Sequence, residues 1–209
     1  MAVPRSQFAP SSQSAPVEGA GSGPVPLVQR ARRGDAAAFR ALFERYAPPV
    51  GRFLRDLFRD GPAADEATQE TFVRAHARLA TLDDSSRLGS WLFGIARNVY
   101  FEHRRARAGN LYPGDAGDDD GLAALRAVLP TPNPEAILLG RELAGHLDEA
   151  LAKLRPARRA ALLLRVDHGL GYDDIAQAMG WTLPQVKNEL HRARLELRVS
   201  LAGHLGDGE

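Results

Sequence analysis

The chain reads YDDIAQAMGWTLPQVKNELHRARLELR from Tyr172 to Arg198, and this stretch decides the fold of its C-terminal part. A short amphipathic helix opens the stretch and runs into Gly180. The inward positions of that helix are Ile175, Ala176 and Met179. Thr182 then caps a longer helix, whose first turn tolerates Pro184 because the early backbone N–H groups have no partner within the helix. Two helices joined by a tight turn containing glycine predict a helix-turn-helix, which places its second helix in the DNA major groove.

The second helix sorts into three stripes when it is wound at about 100° per residue. The apolar stripe, expected to pack on partner helices, consists of Val186, Leu190, Ala193 and Leu197. The polar stripe, able to read base edges, consists of Gln185, Asn188, Glu189 and Arg192. The basic flank, suited to phosphates, consists of Lys187, His191, Arg194 and Arg198. A solvated helix at the end of a bundle is the alternative, but the capped turn and the basic flank together favour DNA.

Composition limits what else the chain can be. With 209 residues, 44% of them hydrophobic, it can bury a core in one domain or in two small ones. Its net charge of +1 means that any nucleic-acid contact uses local basic patches. The chain has no cysteine, which excludes disulfides and thiolate metal sites and is compatible with the cytoplasm. No signal peptide is visible, and no apolar run approaches the roughly 20 residues of a membrane span.

The chain divides by composition into four parts. Residues 1–26 are rich in Ser, Pro, Gly and Ala, which is typical of a disordered tail. Residues 109–133 contain Gly, Pro and the acidic run Asp118 to Asp120, which is typical of a flexible linker. Asn133 followed by Pro134 is a helix cap with proline at the first helical position, so a second domain starts there. The predicted organisation is a disordered tail over 1–26, a helical domain over 27–108, a flexible acidic linker over 109–133 and a helix-turn-helix domain over 134–203.

Helical patterns fill both domains, and no strand pattern appears. The predicted helices are 27–33, 36–45 with a core stripe continuing through Phe58, 62–79, 88–107, 134–154, 156–167, 172–179 and 183–201. Asp35 is the expected N-cap of the second of these, whose apolar positions are Phe39, Leu42 and Phe43. The predicted fold class is therefore all-α, with two small domains.

The helix that begins near Pro62 carries an acidic face with the sequence DEATQETFVRA, from Asp65 to Ala75. On successive turns it presents Asp65, Glu66, Gln69, Glu70 and Phe72. Two acids and an amide could form a metal or acid–base site, but no histidine stands at ligand spacing and no nucleophile accompanies them. We therefore expect no catalytic residue, no metal and no cofactor. A solvated helix face explains the charges, but it explains Gln69 and Phe72 less well.

A second constellation, WLFGIARNVYFEHRR from Trp91 to Arg105, interleaves aromatic residues with cations. Aromatic rings stack on unpaired bases while arginine holds the backbone, so this composition is typical of single-stranded nucleic-acid binding. The competing interpretation is that Trp91, Ile95 and Val99 are core positions at helical spacing. We expect most of the apolar residues in this segment to be core, and the arginines to be exposed.

Taken together, these motifs resemble the bacterial sigma-70 family. The segment D-E-x-x-Q-E-x-F from Asp65, followed by W-L-x-x-I-A-R-N from Trp91, resembles region 2. The segments G-Y-D-D-I-A-Q-A-M-G from Gly171 and V-K-N-E-L-H-R-A-R from Val186 resemble region 4. The order and separation of the two regions are similar to those of the extracytoplasmic-function (group 4) sigma factors, which keep only these two regions. The resemblance covers Leu27 to Leu201 apart from the linker.

The resemblance implies a sigma initiation factor whose partners are the β and β′ subunits of core RNA polymerase and promoter DNA. The implied surface for the β′ clamp helices is Asp65, Glu66, Gln69, Glu70 and Phe72. The segment from Leu79 to Arg105 would open and read the −10 element, with Arg97, Asn98, Arg104 and Arg105 on the DNA side. The helix from Leu183 would read the −35 element, with Gln185, Asn188, Glu189 and Arg192 on bases and Lys187, His191 and Arg194 on phosphates. The linker would thread toward the polymerase active site. The sequence leaves open whether an anti-sigma factor binds.

Two positions depart from the family pattern. Pro184-Gln185 stands where Gly-Thr is usual, and Glu189 stands where a basic residue is frequent. Both departures fall on or beside the polar stripe. They therefore leave the role of the helix in reading the −35 element intact, and they put in doubt which promoter sequence it reads. One alternative is a free-standing helix-turn-helix regulator, which would leave the segment from Asp65 to Arg105 without a role. Another is a helical adaptor or enzyme that uses the acidic face, which would explain neither the basic flank nor the linker.

Overall fold

The computed structural model describes residues 23–107 and 145–205, with side chains described as far as 202. Every regular element in these residues is helical, so the all-α prediction is confirmed. The helices are α1 (Pro24–Arg32), α2 (Ala36–Phe58), α3 (Gly61–Arg78), α4 (Leu88–Arg107), α5 (145–153), α6 (Pro156–Val166), α7 (Tyr172–Met179) and α8 (Leu183–Leu205). Two 3-10 turns, Leu79–Thr81 and Ser85–Arg87, join α3 to α4. The predicted linker, most of the predicted tail and the start of the predicted helix 134–154 lie outside the described residues.

Helix α2 is longer than the sequence predicts. It begins as expected, because Asp35 accepts a hydrogen bond from the backbone N–H of Ala38 at 3.0 Å. It then continues through Pro48 and Pro49 to Phe58 instead of ending near Arg45. Each proline removes one helical hydrogen bond, which normally ends a helix. The helix persists because the turns after the prolines bury a continuous apolar face, consisting of Val50, Phe53, Leu54 and Leu57.

Helices α1 to α4 form one bundle, and α5 to α8 form a smaller one. Phe53 lies at the centre of the first bundle, fully buried, with its ring edge-on to Phe93 at 5.4 Å between centroids. Leu164, Ile175 and Leu190 occupy the centre of the second, each at most 1% exposed. The two bundles also touch, because α4 packs on α7 and α2 packs on α6. Their buried side chains form one connected apolar cluster.

Candidate protein and nucleic-acid interfaces

The turn between α7 and α8 has the geometry that the sequence predicts. Gly180 adopts a left-handed conformation (φ +62°), which a residue with a Cβ rarely adopts without strain. The N–H groups of Gly180 and Trp181 donate to the carbonyls of Gln177 and Ala176, at 3.3 and 2.9 Å, so the last turn of α7 is capped. A tight turn of three residues, 180–182, therefore joins the two helices, as the helix-turn-helix prediction requires.

The first turn of α8 is closed by a reciprocal pair of side chains. The Gln185 N–H donates to Thr182 Oγ1 at 3.4 Å, and the Thr182 N–H donates to Gln185 Oε1 at 2.8 Å. This is a capping box, in which each side chain satisfies the other residue's backbone donor. The predicted cap at Thr182 is therefore confirmed. The unusual Gln185 has a structural explanation, and its side-chain oxygen is committed to the cap rather than free for a base.

The stripes of α8 separate into a buried side and an exposed side. Val186, Leu190 and Ala193 are at most 1% exposed, and Leu197 is half-buried, so the apolar stripe is confirmed. The predicted DNA contacts that are exposed to solvent are Gln185, Lys187, Asn188, His191, Arg192 and Arg194. Because they share one side of a regular helix, their side chains can reach a groove floor and its phosphates together.

Glu189 is the exception on the polar stripe. Its carboxylate accepts a hydrogen bond from Arg158 Nε at 2.8 Å and lies 3.5 Å from Arg192. The Arg158 side chain is only 5% exposed, and its Nη1 reaches Glu196, about two turns further along α8. This placement favours a role for Glu189 in holding α8 against α6 over the predicted role in base reading. The sequence could have raised this possibility, since Glu189 and Glu196 are seven residues apart and so share a helix face.

The acidic face of α3 is partly exposed and partly committed to internal contacts. Asp65, Glu66 and Gln69 are exposed. Glu70 instead bridges two helices, because its oxygens lie 2.6 Å from His103 Nε2 on α4 and 2.5 Å from Arg74. The hydrogen bond from His103 lowers the pKa of Glu70, which therefore carries its charge in this site. Arg74 in turn contacts Glu102 at 2.6 Å, so a four-residue network ties α3 to α4.

An apolar groove lies beside this face, with a volume of about 390 Å³. It is lined by Phe39, Phe43, Gln69, Phe72, Val73 and His76. Phe72 is 5% exposed and packs edge-on against Phe43 at 4.8 Å, so it forms the groove wall rather than a free contact. The groove's exposed apolar side chains are Phe43 (39%) and Val73 (69%). Sequence reasoning assigned Phe43 to the core, which is wrong, and did not identify Val73, whose only signal was its position beside Phe72.

The predicted −10 residues are not equally accessible. Asn98 and Arg105 are exposed, and Arg104 is half-buried. Arg97 is half-buried beneath α7, where its guanidinium donates to the carbonyl of Ala178 at 3.4 Å and lies 5.5 Å above the ring of Phe101. Burial lowers the pKa of Arg97. Among the apolar members of this helix, Ile95 and Val99 are buried as core, as expected, whereas Trp91 is only partly covered.

Residues 23–107 and 145–205 lack two further kinds of feature. Within them, no helix is both long and apolar enough to cross a membrane. The same residues contain no group of three or more histidine, aspartate or glutamate side chains that could hold a metal ion.

Two small helical bundles, one with an exposed apolar groove and the other with a helix-turn-helix, define an all-α protein of the helix-turn-helix class. A family model for sigma-70 region 2 matches residues 42–109, and one for sigma-70 region 4 matches residues 145–197. The RNA polymerase sigma-H factor of Pseudomonas aeruginosa is 30% identical over 170 residues, which are 80% of this chain and 88% of that protein. The ECF RNA polymerase sigma factor SigE of Mycolicibacterium smegmatis is 32% identical over 174 residues, 82% of this chain and 65% of that one. The chain belongs to the sigma-70 family, in its extracytoplasmic-function group.

Solved structures share the fold. The sigma factor RpoE of Bartonella quintana, in complex with the anti-sigma factor NepR, superposes with a TM-score of 0.63 at 24% identity. That match covers 78% of this chain and 96% of RpoE. CnrH, in complex with the cytosolic domain of CnrY, superposes with a TM-score of 0.61 at 21% identity, over 86% of this chain and 97% of CnrH.

Proposed function

We propose that this chain is a sigma factor that acts in the cytoplasm, binds core RNA polymerase and directs promoter recognition and DNA opening. The observation that carries the proposal is the presence of both sigma regions in one chain, with the DNA-facing side chains of α8 exposed. The protein supplies specificity to the polymerase and performs no bond chemistry of its own.

Polymerase binding is assigned to the acidic face of α3 and the groove beside it. Asp65, Glu66 and Gln69 offer exposed charge and an amide, and the groove offers exposed apolar surface at Phe43 and Val73. An apolar centre with a polar rim is the usual anatomy of a protein interface. Glu70 and Phe72 support this surface from behind, since both are held by internal contacts.

Promoter contacts are divided between the two bundles. On α8, Asn188 and Arg192 are proposed to read the −35 element, with Lys187, His191 and Arg194 on phosphates. On α4, Arg97, Asn98, Arg104 and Arg105 are proposed to engage the −10 element during opening. Extruding a base for recognition costs a few kcal/mol, which contacts in this region must offset.

In vitro transcription with core polymerase across genomic promoter fragments tests the proposed function. We expect discrete start sites only when the chain is added, because core enzyme alone lacks promoter specificity. A variant with Lys187→Ala and Arg194→Ala should initiate weakly at every promoter, whereas Arg40→Ala, an exposed cation of α2, should behave as the wild type. Absence of start sites above those of core enzyme would contradict the proposal.

Binding assays on the same promoter fragments distinguish the sigma factor from the two alternative classes of protein. A free-standing helix-turn-helix regulator would bind a specific fragment tightly without polymerase. A helical adaptor would bind neither core enzyme nor DNA. We expect neither result, because the groove on the first bundle and the exposed side of α8 both belong to matched sigma regions.

A further inference from the structure

Helix α1 packs against the connection between α3 and α4, which belongs to the segment proposed to open and read the −10 element. We define the −10 loop as residues 79–87, which include both 3-10 turns. Arg32, the last residue of α1, donates from Nε to the carbonyl oxygen of Leu79 in the first turn at 3.1 Å. We propose that Arg32 is a positioning residue, which holds the −10 loop in the conformation that receives an extruded base. This inference rests on the proposed function, because it supposes that the loop engages DNA.

The bond from Arg32 supports a turn whose own closing bond is long. Within the turn, the N–H of Leu82 donates to the same Leu79 carbonyl at 3.4 Å, beyond the usual range of about 2.7–3.2 Å. The bond from Arg32 is shorter, and a charged donor forms a stronger hydrogen bond than a neutral one. It joins residues that are 47 positions apart, so it fixes the loop against another helix and not only within itself.

The backbone of the −10 loop is also fixed by buried leucines. Leu79, Leu82 and Leu88 are at most 4% exposed and belong to the apolar cluster. The polar residues between them include Thr81 and Asp83, which are exposed. The loop therefore buries its apolar side chains and presents polar groups to solvent, as a surface that reads the edge of a base must do.

The second turn of the loop is closed by local hydrogen bonds. The Asp84 carboxylate accepts from the N–H and the hydroxyl of Ser86, at 2.8 and 2.7 Å. The Arg87 N–H donates to the carbonyl of Asp84 at 3.0 Å. These bonds join neighbouring residues, so they order the second turn from within. The first turn, with its long closing bond, is the one that α1 supports through Arg32.

The position of Arg32 is itself fixed by the packing of α1. Val28 is fully buried within the apolar cluster. Beyond the end of α1, Gly34 adopts a left-handed conformation (φ +88°), and the Arg30 guanidinium lies 2.7 Å from the Asp35 carboxylate. Because Asp35 also caps α2, the end of α1 is tied to the start of α2. Arg32 is therefore carried on an anchored helix.

An ordered loop lowers the free-energy cost of capturing a base. Extruding the base already requires unstacking and unpairing. Ordering the loop at the same moment would add its conformational entropy to that cost. A loop held by α1 is ordered before DNA arrives, so its polar groups discriminate between bases from fixed positions. Arg32 thus contributes to base selection without contacting the base.

Two substitutions of Arg32 separate the hydrogen bond from the charge. In Arg32→Gln, the amide nitrogen stands the same number of bonds from Cα as Nε does in arginine, so the donor is kept and the charge is removed. Arg32→Met has a side chain of similar length and removes both. The matched control is Arg33→Met, which removes a neighbouring exposed cation whose side chain makes no hydrogen bond to any residue that the structure describes.

The first measurement is amide hydrogen exchange in the free full-length chain, read on peptides that cover residues 79–87. We expect Arg32→Met to speed exchange in these residues by about three- to tenfold. Arg32→Gln and Arg33→Met should exchange like the wild type, and exchange in the rest of the first bundle should not change. Unchanged exchange of the loop in Arg32→Met would overturn the inference, whether or not the chain acts as a sigma factor.

The second measurement is selection from a promoter library randomised in the −10 element, with holoenzyme formed from core polymerase and each full-length variant. We expect Arg32→Met to relax the preference at one −10 position by about three- to tenfold, and Arg32→Gln to keep it. The affinity for core polymerase and the preferred −35 sequence should match those of the wild type.

Other patterns reject the positioning role. Equal losses of binding in Arg32→Met and Arg32→Gln, with a salt slope lower by about one unit and an unchanged base preference, would identify a phosphate contact instead. A loss in Arg32→Met that extends to core binding or to −35 preference would show a general effect on folding.

The wild type reports on the proposed function separately. Absence of start sites above those of core enzyme would reject the proposed function. Normal initiation by the wild type, together with an unaltered −10 preference in Arg32→Met, would reject this inference alone.

Discussion

Arg158 Nε lies 2.8 Å from the Glu189 carboxylate, and the same buried guanidinium also reaches Glu196. One cation on α6 thus holds two acids that are seven residues apart on the recognition helix, which fixes both the rotation and the tilt of α8. Desolvation of Arg158 opposes the arrangement, but the hydrogen bonds that its guanidinium donates to Glu189 and Glu196 outweigh it and raise the pKa of Arg158.

Replacing Arg158 by methionine should lower the free energy of unfolding by ~2–3 kcal/mol, since two acids lose their partner while one of them stays half-covered. The urea midpoint measures this loss. Arg155→Met, which changes an exposed cation one residue before α6, is the matched control and should shift the midpoint little.

Glu189→Gln should leave the selected −35 sequence unchanged if Glu189 mainly orients α8. Selection from a randomised −35 library by wild-type and variant holoenzyme compares the two. A changed base preference at a single position, worth ~1–3 kcal/mol, would instead identify Glu189 as a base contact. Asn188→Ala is the positive control, because that side chain is exposed on the polar stripe.

Val73→Glu should weaken binding to core polymerase by ~1–3 kcal/mol, because it places a carboxylate on the exposed apolar edge of the groove. Folding should be unaffected, since Val73 is 69% exposed. The matched control is Val166→Glu, which makes the same change at a position that is 68% exposed on the other bundle and should leave the affinity for core polymerase unchanged. Equal affinities of the two variants for core enzyme would place the polymerase surface elsewhere.

Three titratable side chains near the contact between α2 and the end of α6 predict opposing effects of pH on the free energy of unfolding. Burial, with repulsion from Asp167, raises the pKa of Asp56 to about 6, and burial lowers the pKa of His168 to about 4. Burial raises the pKa of Asp167 as well. The stabilising effect of protonating Asp56 in the folded state is lost as pH rises through about 6, and the effect of Asp167 has the same sign. The pH dependence that His168 contributes has the opposite sign. The folded state favours the neutral His168 ring, and the stability that this supplies is lost as pH falls toward about 4.

The substitution His168→Gln should therefore expose the effect of the two acids. We expect the stability of this variant to fall as pH rises from about 4 to about 6, more steeply than that of the wild type. Urea unfolding at several pH values across this window measures the slope. A slope equal to that of the wild type would show that His168 does not contribute to the pH dependence.

Asp56→Asn tests the same environment at neutral pH. Here the wild-type carboxylate is charged at an unfavourable position, so the amide should raise the free energy of unfolding by ~1 kcal/mol. Asp83→Asn, an exposed acid between the two 3-10 turns, provides the comparison. Lower stability of Asp56→Asn than of the wild type at pH about 7.5 would contradict the assigned cause.

Local features of the fold were predictable, and distant pairings were not. The bounds of α7 and the start of α8 follow from Gly180 and Thr182, whose effects act within a few residues. The end of α2 was missed, because the cost of Pro48 and Pro49 is visible in sequence whereas the burial that offsets it is not. The cross-helix partners of Glu70 and Glu189 are 33 and 31 residues away, on helices whose relative rotation no periodicity specifies.

The capping box on α8 has a consequence for how promoter preference can diverge. Asn188 and Arg192 project into solvent, so substitutions there change DNA contacts at little cost to folding. Gln185 closes the first turn, so a substitution there alters recognition and helix stability together. New regulons are therefore expected to arise by exchange at 188 and 192, while position 185 changes only together with Thr182.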